Sequence, residues 1–288
     1  MRLCFCPSER ENKPQLAYVS QVSESNGPYV RFIHMHPQTV ELILITEGDG
    51  EYFIGDRIYP VRKGDLVIYN SQVVHDEYLE SGRPIGTICC GINNISCPGL
   101  RENALIPDDI VPVIPLYHHY ATVEKLMSSV FTVINQHAVE GPAMAQLLTQ
   151  VVLKYIEGNV LLRTGNDAIQ RHENLLDSIK SYIDRNFYEP IRLDTLATKF
   201  NVSPYYVSHE FKRRYGYSPM DYLIKRRLGE AQSLLTTDKG GREKITSIAY
   251  VGFSNLSHFQ NYFKNKVGKT PGQYRKDYRK ANYLLFEY

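Results

Sequence analysis

Two segments near the C-terminus present polar side chains at the spacing of one exposed helix face. The first carries Tyr205, Ser208, His209 and Lys212, with Tyr206 beside them; the second carries Leu256, Ser257, Gln260 and Asn261. In each segment apolar residues recur four positions apart, Val207 with Phe211 and Phe259 with Phe263, and mark the opposite, buried stripe. The amides of Gln260 and Asn261 suit the N6/N7 edge of adenine, and an aromatic or apolar side chain can cover a thymine methyl. Lys212, Arg213, Arg214, Lys264 and Lys266 suit phosphates, contacts that position a protein without reading sequence. A solvated helix face is the alternative reading for each basic residue taken singly.

The elements that must hold these faces are written twice. Leu193 to Lys212 and Ile245 to Lys264 each read as a short helix with a small residue at its crossing point (Ala197, Ala249), a tight turn, an N-cap serine (Ser203, Ser254) and a second helix. Asn201 tolerates the left-handed backbone of the first turn, Ser203-Pro204 is a strong helix start, and Gly216 is a helix stop. This is the grammar of a helix-turn-helix, whose second helix enters a major groove. A helix over 175–183, ending before Pro190, is expected to pack across the first unit. Pro219 to Leu235 reads as an uninterrupted helix of about 17 residues, roughly 25 Å long. Successive major grooves on one duplex face lie roughly 34 Å apart, so this linker helix and the bodies of both units can serve neighbouring grooves. Two such units predict a transcription regulator that binds double-stranded promoter DNA.

Charge agrees. Residues 173–288 hold 20 Lys and Arg against 12 Asp and Glu, whereas residues 1–172 hold 13 against 19. A polyanion partner for the C-terminal part and a different task for the N-terminal part follow, against the alternative of a merely basic domain. The 288 residues suffice for two domains. No apolar run of about 18 residues predicts a transmembrane helix, and the first ten residues lack the apolar core of a signal peptide, so no membrane partner and a cytoplasmic location are expected. Five cysteines (Cys4, Cys6, Cys89, Cys90, Cys97) have no CxxC zinc spacing and read as reduced thiols; Cys4 and Cys6 would also permit redox or metal sensing.

From Tyr29 to about Cys90 short β-type runs alternate with turns: Glu41–Glu47, Glu51–Ile54, Arg57–Val61 and Leu66–Tyr69. Strands this short and regular indicate a β-sandwich or barrel. Beyond Ile114 the period becomes helical. One stripe joins Val123, Leu126, Met127, Val130 and Ile134; another joins Met144, Leu147, Leu148, Val151, Val152 and Tyr155, with Pro142 near its start. The polar run from Arg163 to Ala168 reads as an interdomain linker. The fold class is α+β: an N-terminal β-barrel with two following helices, then an all-α domain with two helix-turn-helix units joined by a linker helix. The expected divisions are a barrel over 1–110, a helical segment over 111–165, a linker over 166–174 and the tandem helix-turn-helix domain over 175–288.

Residues 173–280 resemble the DNA-binding domain of the AraC/XylS family of bacterial transcription regulators. The resemblance rests on Ser203-Pro204, Phe211-Lys212, Arg227 with Ala231 and Leu234-Leu235, Ile248-Ala249, Gly252 to Asn255, Phe263-Lys264, and Gly268 to Arg275. It implies that Tyr205, Ser208 and His209, and Ser257, Gln260 and Asn261, face bases. Two departures stand out: Ala249 to Gly252 is a step of three where the family has four, and the connector over 236–244 is long. Base reading and backbone clamping both stay open for the second unit. His34-Met-His36 followed by Glu41 and Gly48 resembles the first cupin motif. Gly64-Asp65, Asn70-Ser71 and His75 resemble the second, with Asn70 and Gln72 where Pro and Gly are common. In metal-dependent cupins the positions of His34, His36, Glu41 and His75 form a three-histidine, one-carboxylate set suited to a first-row divalent metal. AraC-type sensors use the same barrel for an organic effector, so these four residues are read foremost as ligand-binding, with no cofactor expected; metal binding and plain packing are the alternatives. The resemblance further implies a small-molecule effector, a sugar among the options, a homodimer built on the two helices and RNA polymerase as a partner; the output is read as activation, with repression left open. Closure of the barrel's open face is the other use for those helices. A metal-dependent cupin oxygenase or isomerase is the rival class; no catalytic residue is expected under the leading reading.

Overall fold

Residues 40–69 form four consecutive strands. In this computed structural model of the protein, which describes residues 13–23, 32–77, 85–136, 139–161, 175–237, 251–253, 255–280 and 284–285, they are β2 (Val40–Glu47), β3 (Asp49–Ile54), β4 (Arg57–Arg62) and β5 (Asp65–Tyr69). Gly55 and Gly64, with φ of 64° and 97°, take the left-handed turns between them, where a side chain would be strained. Around these lie β1 (Gln15–Val22), β6 (His75–Asp76), β7 (Gly86–Asn93), β8 (Val113–Pro115) and a two-residue strand, β9 (Leu284–Leu285). Every pairing is antiparallel, in two sheets of order β8-β5-β2-β7-β1-β9 and β4-β3-β6.

Of the sandwich and the barrel expected, the sheet-rich domain takes the open form, two sheets: among the described residues no ladder joins them into a closed cylinder. The β3–β4 hairpin pairs with β6 and not with its chain neighbours β2 and β5, which pair with each other. β2 is apolar almost throughout because both its faces are covered. Ile43 and Ile45 point between the sheets, toward Tyr52, Ile54, Val61 and Val67. Leu42 and Leu44 point the other way, onto α1 (Tyr120–Gln136) and α2 (Gly141–Tyr155), meeting Val123, Met127, Val130, Val152 and Leu153. Glu41 shares the parity of Ile43, so a carboxylate enters the inter-sheet space.

The stripe expected on α2 divides in two. Leu148, Val152 and Tyr155 pack on the sheet, whereas Met144, Leu147 and Val151 stay 39%, 64% and 49% exposed. A row at i, i+3 and i+7 is left on the outer face.

The C-terminal part comprises α3 (Leu175–Asn186), α4 (Leu193–Lys199), α5 (Pro204–Tyr215), α6 (Pro219–Thr237), α7 (Leu256–Val267) and α8 (Pro271–Lys280). Local chemistry sets the ends of α5. Asn201 turns at φ 54°, Ser203 accepts from the Tyr206 amide at 3.1 Å, and Gly216 closes the helix at φ 78°. The cap of α7 differs from expectation: Asn255, not Ser254, accepts from the His258 amide at 2.8 Å, so the helix begins at Leu256. Its extended backbone, φ −159° and ψ 162°, brings Oδ1 over the first turn. The first helix of that unit, with Ile245, Ile248 and Ala249, lies outside the described residues, as do Ser254, the linker over 166–174, Cys4 and Cys6.

The helix α6 runs 19 residues, about 28 Å, and belongs to both units. Its Tyr222 and Leu223 join the core of α3, α4 and α5, while Leu228, Ala231 and Leu235 join Phe259 and Phe263 of α7 and Tyr274 of α8. Sensor residues complete both cores. Ile33, Phe53 and Val74 are buried with α3–α6, and Phe32 is buried with α6 and α7. The two halves therefore share hydrophobic interior, an arrangement the reading of two linked modules did not contain.

Candidate functional site

On α5 one face is closed and the other open. Val207, Phe211 and Tyr215 are wholly buried, so the opposite side must face out. Tyr205 (77% exposed), Ser208, His209, Lys212 and Arg213 line a single open surface, with Tyr206 at its edge. The Tyr205 ring stacks on His209, centroids 5.7 Å apart and 17° between planes, which pre-orders two of the outward side chains. Arg213 pairs with Glu210, itself within 3.4 Å of His209 Nδ1. Arg214 departs from its expected phosphate role. Its guanidinium is held by Asp177 at 2.7 Å and by Asp56 of the sensor at 3.6 Å, because the last turn of α5 meets α3 and β4.

On α7, Ser257, Gln260, Asn261, Lys264 and Lys266 are exposed. Leu256 is corrected: it is half-buried and packs on the core of Phe259 and Phe263, as an apolar residue at a helix start tends to do when a core lies within reach. Gly252, at φ 103°, turns the chain into this helix over Arg227; a Cβ there would meet Arg227 Nε at 2.4 Å and Phe187 O at 2.6 Å. Arg227 is held in turn by the carbonyls of Phe187 and Glu189 at 2.6 and 2.7 Å, tying the second unit to the loop after α3.

The four polar residues of the sensor converge. One donor atom from each of His34, His36, Glu41 and His75 lies within 4.8 Å of all the others. His34 and His75 pair across an isolated bridge, amide to carbonyl at 2.9 and 2.8 Å, which turns both rings to the same side. Their Nδ1 atoms lie 2.9 Å from the carbonyl oxygens of Phe32 and Val73; a carbonyl only accepts, so each Nδ1 carries a proton. Their Nε2 atoms face each other at 3.1 Å. Glu41 Oε1 accepts from Tyr18 Oη and from Cys89 Sγ at 3.6 Å, and Oε2 lies 3.0 Å from His75 Nε2 and 3.4 Å from His36 Nε2. Burial works to raise the Glu41 pKa, but His36 and His75 outweigh it and hold the carboxyl well below its ordinary range. The Tyr69 ring stacks on His75 at 4.0 Å.

The two positions departing from the second cupin motif have structural work. Asn70 donates to Ile106 O and Asp108 Oδ1 at 2.7 and 2.8 Å and accepts from the Leu105 amide at 2.9 Å, clamping the loop beyond β7. Gln72 adopts φ 63°, the backbone region that favours glycine, and its amide donates to His36 O at 2.7 Å. Cys90 and Cys97 are plain core thiols, pushed up to about 12 and about 11 by burial.

A sheet-rich domain bearing an inward polar cluster, joined to helices that present two outward polar faces, has the makeup of a DNA-binding regulator with a sensor. Comparison with known proteins gives the family. Residues 22–151 match the family model of the AraC-like ligand binding domain, and residues 196–277 match that of a helix-turn-helix domain. The chain is 27% identical over 249 residues to the uncharacterized HTH-type transcriptional regulator YdiP of Escherichia coli (strain K12), covering 85% of this chain and 81% of that protein. It is 22% identical over 262 residues to the HTH-type transcriptional activator RhaS of Enterobacter sp. (strain 638), covering 88% and 90%. Among solved structures, unsaturated fatty acid bound wild-type ToxT from Vibrio cholerae strain SCE256 is 13% identical, covers 92% of this chain and 96% of that one, and has a TM-score of 0.45. The chain belongs to the AraC family of transcription regulators, with an N-terminal ligand-binding domain and a C-terminal helix-turn-helix DNA-binding domain. It is a regulator and not an enzyme, which removes the oxygenase or isomerase alternative. No described helix is long and apolar enough to cross a membrane.

Proposed function

We propose that this regulator reads promoter DNA with Tyr205, Ser208 and His209 of α5 and with Ser257, Gln260 and Asn261 of α7, while Lys212, Arg213 and Lys264 hold phosphates. The observation that carries the reading is the open face of α5, set opposite a fully buried stripe, with Arg213 and His209 paired to Glu210 of the same helix. Tyr206 borders this face and supports it; Leu256 serves packing. The protein acts in the cytoplasm, where promoter DNA is.

The signal is a small molecule sensed at His34, His36, Glu41 and His75, a sugar being the effector class suggested by the family. Coupling to DNA follows from the shared cores. His34 follows Phe32 and Ile33, and His75 lies between Val74 and Asp76; Phe32, Ile33 and Val74 are seated in the helical domain, and Asp76 accepts from Tyr217 Oη at 3.2 Å. A ligand that fits the cluster better in one seating than another shifts the balance of arrangements, which is the only way it can act on DNA occupancy. The exposed row Met144, Leu147 and Val151 supports a homodimer through α2, and an activator role implies contact with RNA polymerase.

Selection of bound sequences from a random duplex pool, followed by anisotropy titrations, tests the interface. His209→Ala is expected to weaken specific over non-specific binding by about 1–3 kcal/mol, whereas Arg213→Ala weakens both alike and flattens the fall of affinity with salt. An unchanged preferred sequence in His209→Ala refutes the assigned face.

A further inference from the structure

We propose that His34, His36, Glu41 and His75 bind a first-row divalent transition metal, so that the sensing site is a metal centre; this deepens the sensor reading above and rests on it. Three features of the cluster point to a cation and not to packing. The first is spacing. An ion held at about 2.1 Å sets neighbouring donors about 3.0–3.4 Å apart. Three of the separations are 3.1 Å for His34 Nε2 to His75 Nε2, 3.0 Å for His75 Nε2 to Glu41 Oε2 and 3.4 Å for His36 Nε2 to Glu41 Oε2, and all four donors lie within 4.8 Å of one another.

The second is proton bookkeeping. With Nδ1 of His34 and His75 committed to the carbonyls of Phe32 and Val73, Nε2 is the nitrogen each ring has left for a metal, and the two Nε2 atoms face each other at 3.1 Å. A carbonyl on the far nitrogen is the arrangement that fixes tautomer and ring plane in metal-bound histidines. The third is the carboxylate. Glu41 is 1% exposed, and Oε2 receives no hydrogen bond of acceptable geometry although two imidazoles adjoin it. A buried carboxylate oxygen without a donor is costly, and a cation at the centre satisfies it together with the imidazole lone pairs.

Imidazole nitrogens with one carboxylate favour first-row ions over calcium or magnesium, which prefer all-oxygen shells. Four protein donors leave open positions on a six-coordinate ion, where oxygen atoms of a polyhydroxylated effector can bind. Two of the four ligands sit on the bridge whose flanking residues enter the helical domain, so loss of the ion would loosen that seating.

The test uses the full chain, stripped with a chelator, dialysed and titrated with Co(II) alone, read by visible d–d absorption and by elemental analysis after gel filtration. One equivalent is expected, with at least a tenfold loss of affinity in His36→Ala and in Glu41→Gln. His36 is the least buried ligand, and Gln keeps the shape of Glu41, so at least one variant is expected to fold; a melting curve of each stripped variant verifies this. Failure to bind Co(II), or equal binding by wild type and both folded variants, overturns the metal site. So does a sugar that raises the melting temperature of stripped protein as much as that of loaded protein. The His209→Ala titration is independent of these outcomes, so loss of the metal site leaves the DNA reading standing or falling separately.

Discussion

Gly229→Ala separates packing between domains from the intrinsic preference of a helix. Gly229 lies in the middle of α6, where alanine would ordinarily stabilise by about 0.5–1 kcal/mol. Here the added Cβ would stand 2.0 Å from Ile33 O, 2.6 Å from Ile33 C and 2.8 Å from Phe32 O. An ordinary contact needs about 3.5 Å, so the Phe32–Ile33 backbone must retreat by more than about 1 Å. That retreat strains the bond from the Phe32 amide to Gln232 Oε1, 2.8 Å long and buried, worth about 1 kcal/mol. It also lifts Phe32 and Ile33, 3% and 0% exposed, part of the way out of their cores; complete exposure would cost about 1.5–3 kcal/mol each. The expected net effect is a loss of about 1–3 kcal/mol, opposite in sign to the helix propensity. Full-length Gly229→Ala should melt earlier than wild type and lose hydrogen-exchange protection over Phe32–His36. Gly158→Ala is the control, because a Cβ there meets nothing within 4 Å and should be neutral or mildly stabilising. Melting at or above the wild-type temperature with protection intact would refute the claim that these halves interlock.

Three further outcomes follow from other contacts. Asp177 accepts from Arg214 Nη2 at 2.7 Å and from Tyr215 Oη at 2.6 Å, so Asp177→Ala strands a buried phenol and should cost about 2 kcal/mol in chemical denaturation; a loss below about 0.5 kcal/mol would mean the tie is ornamental. Leu147→Glu places a charge in the exposed α2 row and should shift sedimentation from dimer to monomer at unchanged melting temperature, whereas a dimer of wild-type affinity would exclude that face. Cys90, with its thiol raised to about 12, is expected to present only about one thiolate in ten thousand at pH 8 and to resist maleimide until the chain is denatured; rapid native labelling would contradict its burial.

What the amino-acid sequence disclosed was what local chemistry decides. Asn201, Ser203-Pro204 and Gly216 each act within a few residues, and α5 begins and ends where they require. The strands β2 to β5 likewise follow from short β-type runs broken at glycine. The cap of α7 was misplaced by one position because Ser254 and Asn255 are both competent acceptors by type, and the extended backbone that brings Asn255 over the first turn is not written in either side chain. Arg214 looked like its neighbours Lys212 and Arg213 because its acceptors, Asp56 and Asp177, are distant in the chain. Distance also hid the shared cores: Phe32 and Gln232 meet across 200 residues, and nothing in an isolated Phe-Ile pair tells its neighbours.

The same distance bears on the coupling proposed above, because the histidine cluster adjoins the helical cores directly. Along a strand, successive side chains point to opposite faces. At the His34–His75 bridge this parity puts the imidazoles on the inner side and Ile33 and Val74 on the outer, each 0–6% exposed and seated among α3–α6. Whatever draws the two rings together must therefore move, or fix, two apolar plugs in the first helix-turn-helix unit. Phe32 extends the effect to the second unit through α6, since its carbonyl receives His34 Nδ1 while its ring lies against the core of Leu228 and Phe259. One histidine-bearing bridge thus touches the cores of both helical units. An interior this closely packed responds by changing between discrete seatings more readily than by graded deformation.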